Sequence, residues 1–116
     1  MIVRVLDEVY DAIQEAALYS IQRFGIDAAE KLSNRLFESL KQTTQRDGIP
    51  VLDLPRNFRY FVIKPYRLFF YRDEQAGEAL VYLLRHTARA PLPSKEHRRL
   101  ADTARRKAQP INQNGH

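Results

Sequence analysis

The sequence predicts an α+β fold: a four-stranded, largely antiparallel sheet packed against a helical hairpin, with a basic helix at the C-terminal end. Three observations predict it. Two stretches between residues 7 and 45 place apolar residues at three- and four-residue spacing, the period of a helix with one buried face. Three short aromatic and β-branched runs, FRYFVI, YRLFFYR and EALVYLLRH, then follow with only turn-length gaps. A weakly alternating, β-rich run, IVRVL at residues 2–6, precedes both.

Each element has a local reason. Asp7 can cap the first helix, whose apolar stripe is Val9, Ile13, Ala16, Ala17, Ile21 and Phe24, and Gly25 stands where a helix-ending glycine is expected. Asp27 followed by Glu30 forms an aspartate version of the capping box for a second helix, with Ala29, Leu32, Leu36, Phe37 and Leu40 as its stripe. The connection Phe24-Gly25-Ile26 is short, so the two helices must run antiparallel. Residues 47–57 hold a glycine and two prolines and read as an ordered linker, pinned to the body by Val51, Leu52 and Leu54.

In the first strand of the meander, Phe58, Tyr60 and Val62 alternate with Arg59, Phe61 and Ile63, and Lys64-Pro65 ends it. In the second, Arg67, Phe69 and Tyr71 alternate with Tyr66, Leu68 and Phe70. The third, residues 78–86, is apolar on both faces, as a covered central strand would be. Tight connections make these neighbours antiparallel. Pro91 and Pro93 end the sheet, and Ser94 is placed to cap a last helix over residues 95–108. Its apolar positions are only Leu100, Ala101, Ala104 and Ala108, so this helix is expected to dock loosely or to be completed by a partner. A chain of 116 residues is one domain's worth. Residues 1–92 are expected to form its body, 93–108 the basic helix and 109–116 a disordered tail.

Charge separates along the chain. Residues 1–55 hold 6 Lys+Arg against 9 Asp+Glu, a balance of −3, whereas residues 56–116 hold 13 against 5, a balance of +8. Such polarity creates a local positive field that attracts nucleic acid or an acidic protein. There is no cysteine, which excludes disulfides and thiolate chemistry. No apolar run approaches the roughly 18 residues of a membrane span, and the first residues lack a signal-peptide layout. The expectation is a cytoplasmic protein with no membrane partner.

Three segments in order resemble the RelE/ParE superfamily of toxins from bacterial type II toxin–antitoxin modules. They are the glycine-hinged hairpin LDEVYDAIQEAALYSIQRFGIDAAEKL, the stretch FRYFVIKPYRLFFYR, and the strand that closes in basic residues around a histidine, VYLLRHTARAP. The resemblance covers roughly residues 2–92. It implies a β-α-α-β-β-β fold, an antitoxin partner whose acidic segment folds over the toxin, and one of two activities. RelE-like members cut mRNA on the ribosome; ParE-like members share the fold and poison DNA gyrase. Some members have become non-catalytic binding modules. Neither metal nor cofactor is implied.

RNA cleavage by a 2′-hydroxyl needs a base, cations on the crowded phosphate and an acid for the leaving oxygen. Under the resemblance Arg67 matches the arginine of the middle strand, Arg59 the basic position on the preceding strand, and Arg85 and His86 the basic and acid–base groups at the sheet's end. Arginine suits the phosphate because its fork grips two oxygens and stays charged. His86 is read as the only histidine of the ordered body. Lys64, Arg89, Arg98 and Arg99 are the candidate RNA- or partner-binding residues. The chain departs from the pattern in two places: no tyrosine follows Tyr82, and Asp53 is the only carboxylate near the position of a loop base. Arg67 also has a structural alternative, an ion pair with Asp73 or Glu74.

Overall fold

A computed structural model describes residues 1–111. In chain order the elements are β1 (Ile2–Val5), α1 (Asp7–Phe24), α2 (Ile26–Gln42), β2 (Ile49–Pro50), β3 (Phe58–Ile63), β4 (Tyr66–Asp73), β5 (Glu78–His86), α3 (Ser94–Lys107) and β6 (Gln109–Pro110). The α+β class agrees with expectation, but the sheet differs. It has six strands rather than four, in the order β2-β3-β4-β5-β1-β6, and it is mixed.

The meander β3-β4-β5 is antiparallel, as its tight turns require. β1 runs parallel to β5, with Val3 opposite Ala79 and Val5 opposite Val81. Everything from α1 to β4 lies between these two strands in sequence, long enough for the crossover a parallel pair needs. Two-residue strands extend the sheet at its edges: β2, from the linker, pairs with β3, and β6 pairs with β1. The tail is therefore ordered through Ile111, whose N–H donates to the Val3 carbonyl at 2.9 Å. The rest of the expected disordered tail, residues 112–116, lies outside the described residues.

The hairpin covers one face of the sheet and α3 the other. Directly opposed residues share a face. Pairing of Phe58 with Tyr71, Tyr60 with Phe69 and Val62 with Arg67 places these six on one side. Phe61, Leu68 and Phe70 fall on the other, against the helical hairpin, and all three are buried. β5 is buried along most of its length because it has a helix on each face. The core joins Val9 and Ile13 of α1, Leu36 and Leu40 of α2, the sheet interior, and Ala101, Ala104 and Ala108. α3 is thus docked on the sheet, contrary to the loose docking expected of so thin a stripe. His97 completes that stripe, being buried beside the alanines.

The helix ends also differ from expectation. Asp7 and Asp27 lie inside the first turns, as does Ser94 in α3, and no side chain caps the N-terminus of any of the three helices. Gly25 ends α1 and begins α2 at φ 94°, a conformation that favours glycine. The stripe positions Ile21, Phe24 and Phe37 are exposed rather than buried, Phe24 at 73%. The far end of the hairpin projects past the sheet. In the linker, Val51 and Leu54 do pack on the core, whereas Leu52 is 85% exposed.

Several arginines are structural. Arg4 pairs with Glu78 at 2.8 Å and donates to the carbonyls of Ala108 and Arg105, where a cation suits the end of α3. Arg72 donates to the carbonyls of Thr43 and Arg46 after α2 and pairs with Asp47 at 2.9 Å. Gly48 closes this corner at φ 66°, and a Cβ there would lie 2.7 Å from the Tyr60 carbonyl oxygen. Gly48→Ala should therefore cost more than about 1 kcal/mol. A lower urea midpoint would bear this out; an unchanged midpoint would contradict it.

Candidate functional site

The α3-side face of the sheet does not close completely. Between the linker, the sheet and the segment entering α3 lies a cleft of about 570 Å³. It is lined by Tyr60 of β3, Arg67 and Phe69 of β4, Arg85 of β5, Leu52 and Asp53 of the linker, Arg89 after β5 and His97 of α3. A larger groove, about 720 Å³, runs between α2 and β3, but its lining contains no histidine, and beside Arg35 and Arg46 it holds Glu38 and neutral groups. The chemistry-bearing residues gather in the smaller cleft.

Arg67 and Arg85 stand directly opposite each other on β4 and β5. Like charges in that register destabilise a strand pair. Neither has an ion-pair partner among the described residues, and the alternative pairing of Arg67 with Asp73 or Glu74 is not formed. The Arg67 guanidinium lies over the Tyr60 ring, 5.0 Å from its centre. Arg85 donates Nε and Nη2 to the Ala90 carbonyl at 3.1 and 2.8 Å, which fixes its direction without neutralising it. With Arg89 the cleft carries three arginines against one carboxylate, Asp53. Asp53 has φ 66°, the only positive φ outside glycine among the described residues. Such a conformation in a residue other than glycine is uncommon and costs backbone energy.

His86 lies at the end of β5 and lines both this cleft and a second one on the hairpin side. Its Nδ1 accepts the Ala88 N–H at 3.0 Å. That bond places the ring proton on Nε2. The ring packs edge-on against Tyr66, its opposite on β4, with centres 5.3 Å apart, on the hairpin side of the sheet.

The other expected site residues lie elsewhere. Arg59 falls on the hairpin face, and its guanidinium donates to the carbonyls of Asp47, Gly48 and Arg56. It holds the α2–β2 corner and does not line the cleft. The reason is parity: Arg59 opposes Phe70, one residue out of phase with Arg67. Lys64 is exposed in the β3–β4 turn. Arg98 and Arg99 are exposed on α3, with Arg99 paired to Glu96 at 2.8 Å. None of these three lines the cleft. No group of His, Asp or Glu that could hold a metal occurs among the described residues.

His97 was not expected in the ordered body, yet it is 3% exposed. Its Nδ1 lies 2.7 Å from the Tyr82 hydroxyl, and its ring packs on Phe69, centres 4.8 Å apart. A bulge between Phe69 and Phe70 leaves Tyr82 as the extra residue on β5, and its ring lies against Phe58, Phe69 and His97. The available signal was the spacing His97, Ala101, Ala104, Ala108, one face of a helix. Burial pushes the Tyr82 hydroxyl well above its ordinary range, so it stays protonated. Burial and then the charge of Arg85 push His97 below its ordinary value.

His97 therefore binds its second proton less readily when folded than when unfolded. Its contribution to stability is complete above the unfolded value of about 6.5 and is lost as pH falls below it toward the folded value. The melting temperature should fall between about pH 7 and pH 5, and His97→Gln should flatten that slope. An equally steep fall in the variant would remove His97 from the account.

Compared with known proteins, the chain matches no family model, and no curated protein matches it either. The cleft must be read from its own chemistry. It offers fixed, unneutralised guanidinium groups, an aromatic floor and one carboxylate. That combination suits a phosphodiester flanked by bases. Arginine forks grip phosphate oxygens, and rings such as Tyr60 accept a stacked base. No helix is long and apolar enough to cross a membrane among the described residues.

Proposed function

We propose that the protein is the toxin of a type II toxin–antitoxin pair and acts as a RelE-like, ribosome-dependent mRNA endonuclease in the cytoplasm. The observation that carries this reading is the opposed, unpaired pair Arg67 and Arg85, which line one cleft with Asp53. Two like charges in that register weaken a strand pair, and a phosphate bound between them offsets that cost.

In this reading the scissile phosphate lies between Arg67 and Arg85. The Asp53 carboxylate takes the proton of the adjacent 2′-hydroxyl. The new O2′–P bond forms as the P–O5′ bond breaks, leaving a 2′,3′-cyclic phosphate and a 5′-hydroxyl. The departing oxygen receives its proton from water in the open cleft. The arginines stabilise the extra charge on the phosphorane-like transition state. The acidic segment of a cognate antitoxin would neutralise the same cleft, consistent with the +8 balance of residues 56–116.

A second reading rests on a different observation. Leu18, Ile21, Phe24 and Ile26 are exposed around Gly25 at the hairpin tip. An apolar tip of this kind suits a protein partner, as a ParE-like gyrase inhibitor requires. Mapping RNA 5′ ends in cells after induction separates the two. New 5′-hydroxyl ends inside translated frames are expected. Unchanged RNA ends with relaxed plasmid DNA would overturn the nuclease reading in favour of gyrase.

A further inference from the structure

His97 and Tyr82 are buried polar groups that the cleavage chemistry above does not use. Tyr82 has one hydroxyl hydrogen, and the group nearest to it is His97 Nδ1. With Tyr82 as donor, Nδ1 is the acceptor, and the proton of the neutral imidazole must sit on Nε2. Nε2 has no hydrogen-bond partner among the described residues. No buried side-chain nitrogen or oxygen there lacks a partner, so Nε2 is not sealed in the core. His97 lines the cleft, and the opening beside it holds Arg67 and Arg85. The ring itself is held by Phe69 and Tyr82, with centres 4.8 and 5.7 Å away. A fixed N–H on a rigid ring, beside two arginines, is a directional donor.

We propose that His97 is a positioning residue for the bound strand: Tyr82 fixes its tautomer, and its Nε2–H donates to a phosphate oxygen of the single-stranded RNA held by Arg67 and Arg85. The inference rests on the cleft reading above and adds a residue and a role to it. The arginines supply charge, which attracts a polyanion from any direction. His97 supplies one fixed direction and so sets where along the strand the phosphate stops.

Two substitutions separate the ring nitrogens. His97→Asn keeps an acceptor near Nδ1 for Tyr82 but has nothing at the position of Nε2. His97→Gln places an amide N–H near Nε2 and gives up the Tyr82 bond. The probe is a fluorescein-labelled single-stranded RNA 12-mer binding the full chain, followed by anisotropy, with melting temperature as the check on folding. His97→Asn should bind about 10-fold more weakly or worse, since a hydrogen bond to a charged group is lost. His97→Gln should recover most of that loss, and ¹⁵N NMR of the wild-type ring should show the proton on Nε2. Tyr82→Phe, which removes a single oxygen, should leave a mixture of tautomers. Equal losses in His97→Asn and His97→Gln would make His97 a packing residue and overturn the proposal. A proton on Nδ1 would overturn it as well. If Arg67→Ala weakens binding while both His97 variants bind as wild type, the inference fails and the cleft reading stands. If Arg67→Ala also binds as wild type, the cleft reading is what has failed.

Discussion

Arg67→Ala is expected to reduce mRNA cleavage about 100-fold or more while leaving the fold intact. The activity loss follows from where charge develops. In the proposed cleavage the phosphate gains negative charge as the 2′-oxygen attacks, and the Arg67 fork is one of the two cations proposed to face it. The intact fold follows from what Arg67 touches. It is exposed, it has no ion pair among the described residues, and its guanidinium rests on the face of the Tyr60 ring. Losing an exposed cation–π contact costs about 0.5–1 kcal/mol, and removing one of two opposed like charges offsets part of that. Arg67→Lys should recover charge but not the two-pronged grip, so it should fall between the two. Cleavage yields and melting temperatures measured together check both halves. Full activity in Arg67→Ala would remove Arg67 from the site.

Phe70→Ala should cost about 3–5 kcal/mol of stability. Phe70 is fully buried at the centre of β4 and packs on Phe61 with ring centres 4.9 Å apart. Neighbours on two strands and the hairpin cannot collapse into the space without moving the sheet. A domain of this size has about 5–15 kcal/mol in all, so the variant is expected to be near the edge of folding at 37 °C. Urea denaturation gives the measure: a lower midpoint with an unchanged slope is expected. A loss below about 1 kcal/mol would mean that the core closes around the site more freely than its packing implies.

The strands of the meander were legible because aromatic and β-branched residues alternate between short turns. The hairpin was legible from its three- and four-residue spacing and Gly25. The parallel pairing of β1 with β5 was not, because local pattern carries no information about which distant strand Ile2–Val5 will join. β2 and β6 are two residues each, too short for any period to show. Ile21 and Phe24 continue the helical stripe in sequence but run past the end of the sheet, so the pattern overstated the core.

For the site, Arg67, Arg85 and Arg89 line one cleft together with Asp53, whereas the His86 ring, one residue out of phase with Arg85, packs on Tyr66 on the hairpin side. Arg59 carries the same chemistry as Arg67 in a similar aromatic strand, yet becomes a structural clamp. Its alternation with Phe58 and Tyr60 already put it on the other face. What the sequence lacks is the set of free carbonyls after α2 that receive Arg59 and Arg72. His97 was hidden because a histidine among charged residues on a basic helix looks exposed; its three alanine companions turn it inward.

The most direct test is the integrity of a defined transcript in a purified translation reaction, with the ends mapped by primer extension, with and without ribosomes. Cuts at defined positions that require ribosomes and disappear with Arg67→Ala are the predicted result. An intact transcript with translation continuing at full protein dose would contradict the account and direct attention to gyrase and the apolar hairpin tip.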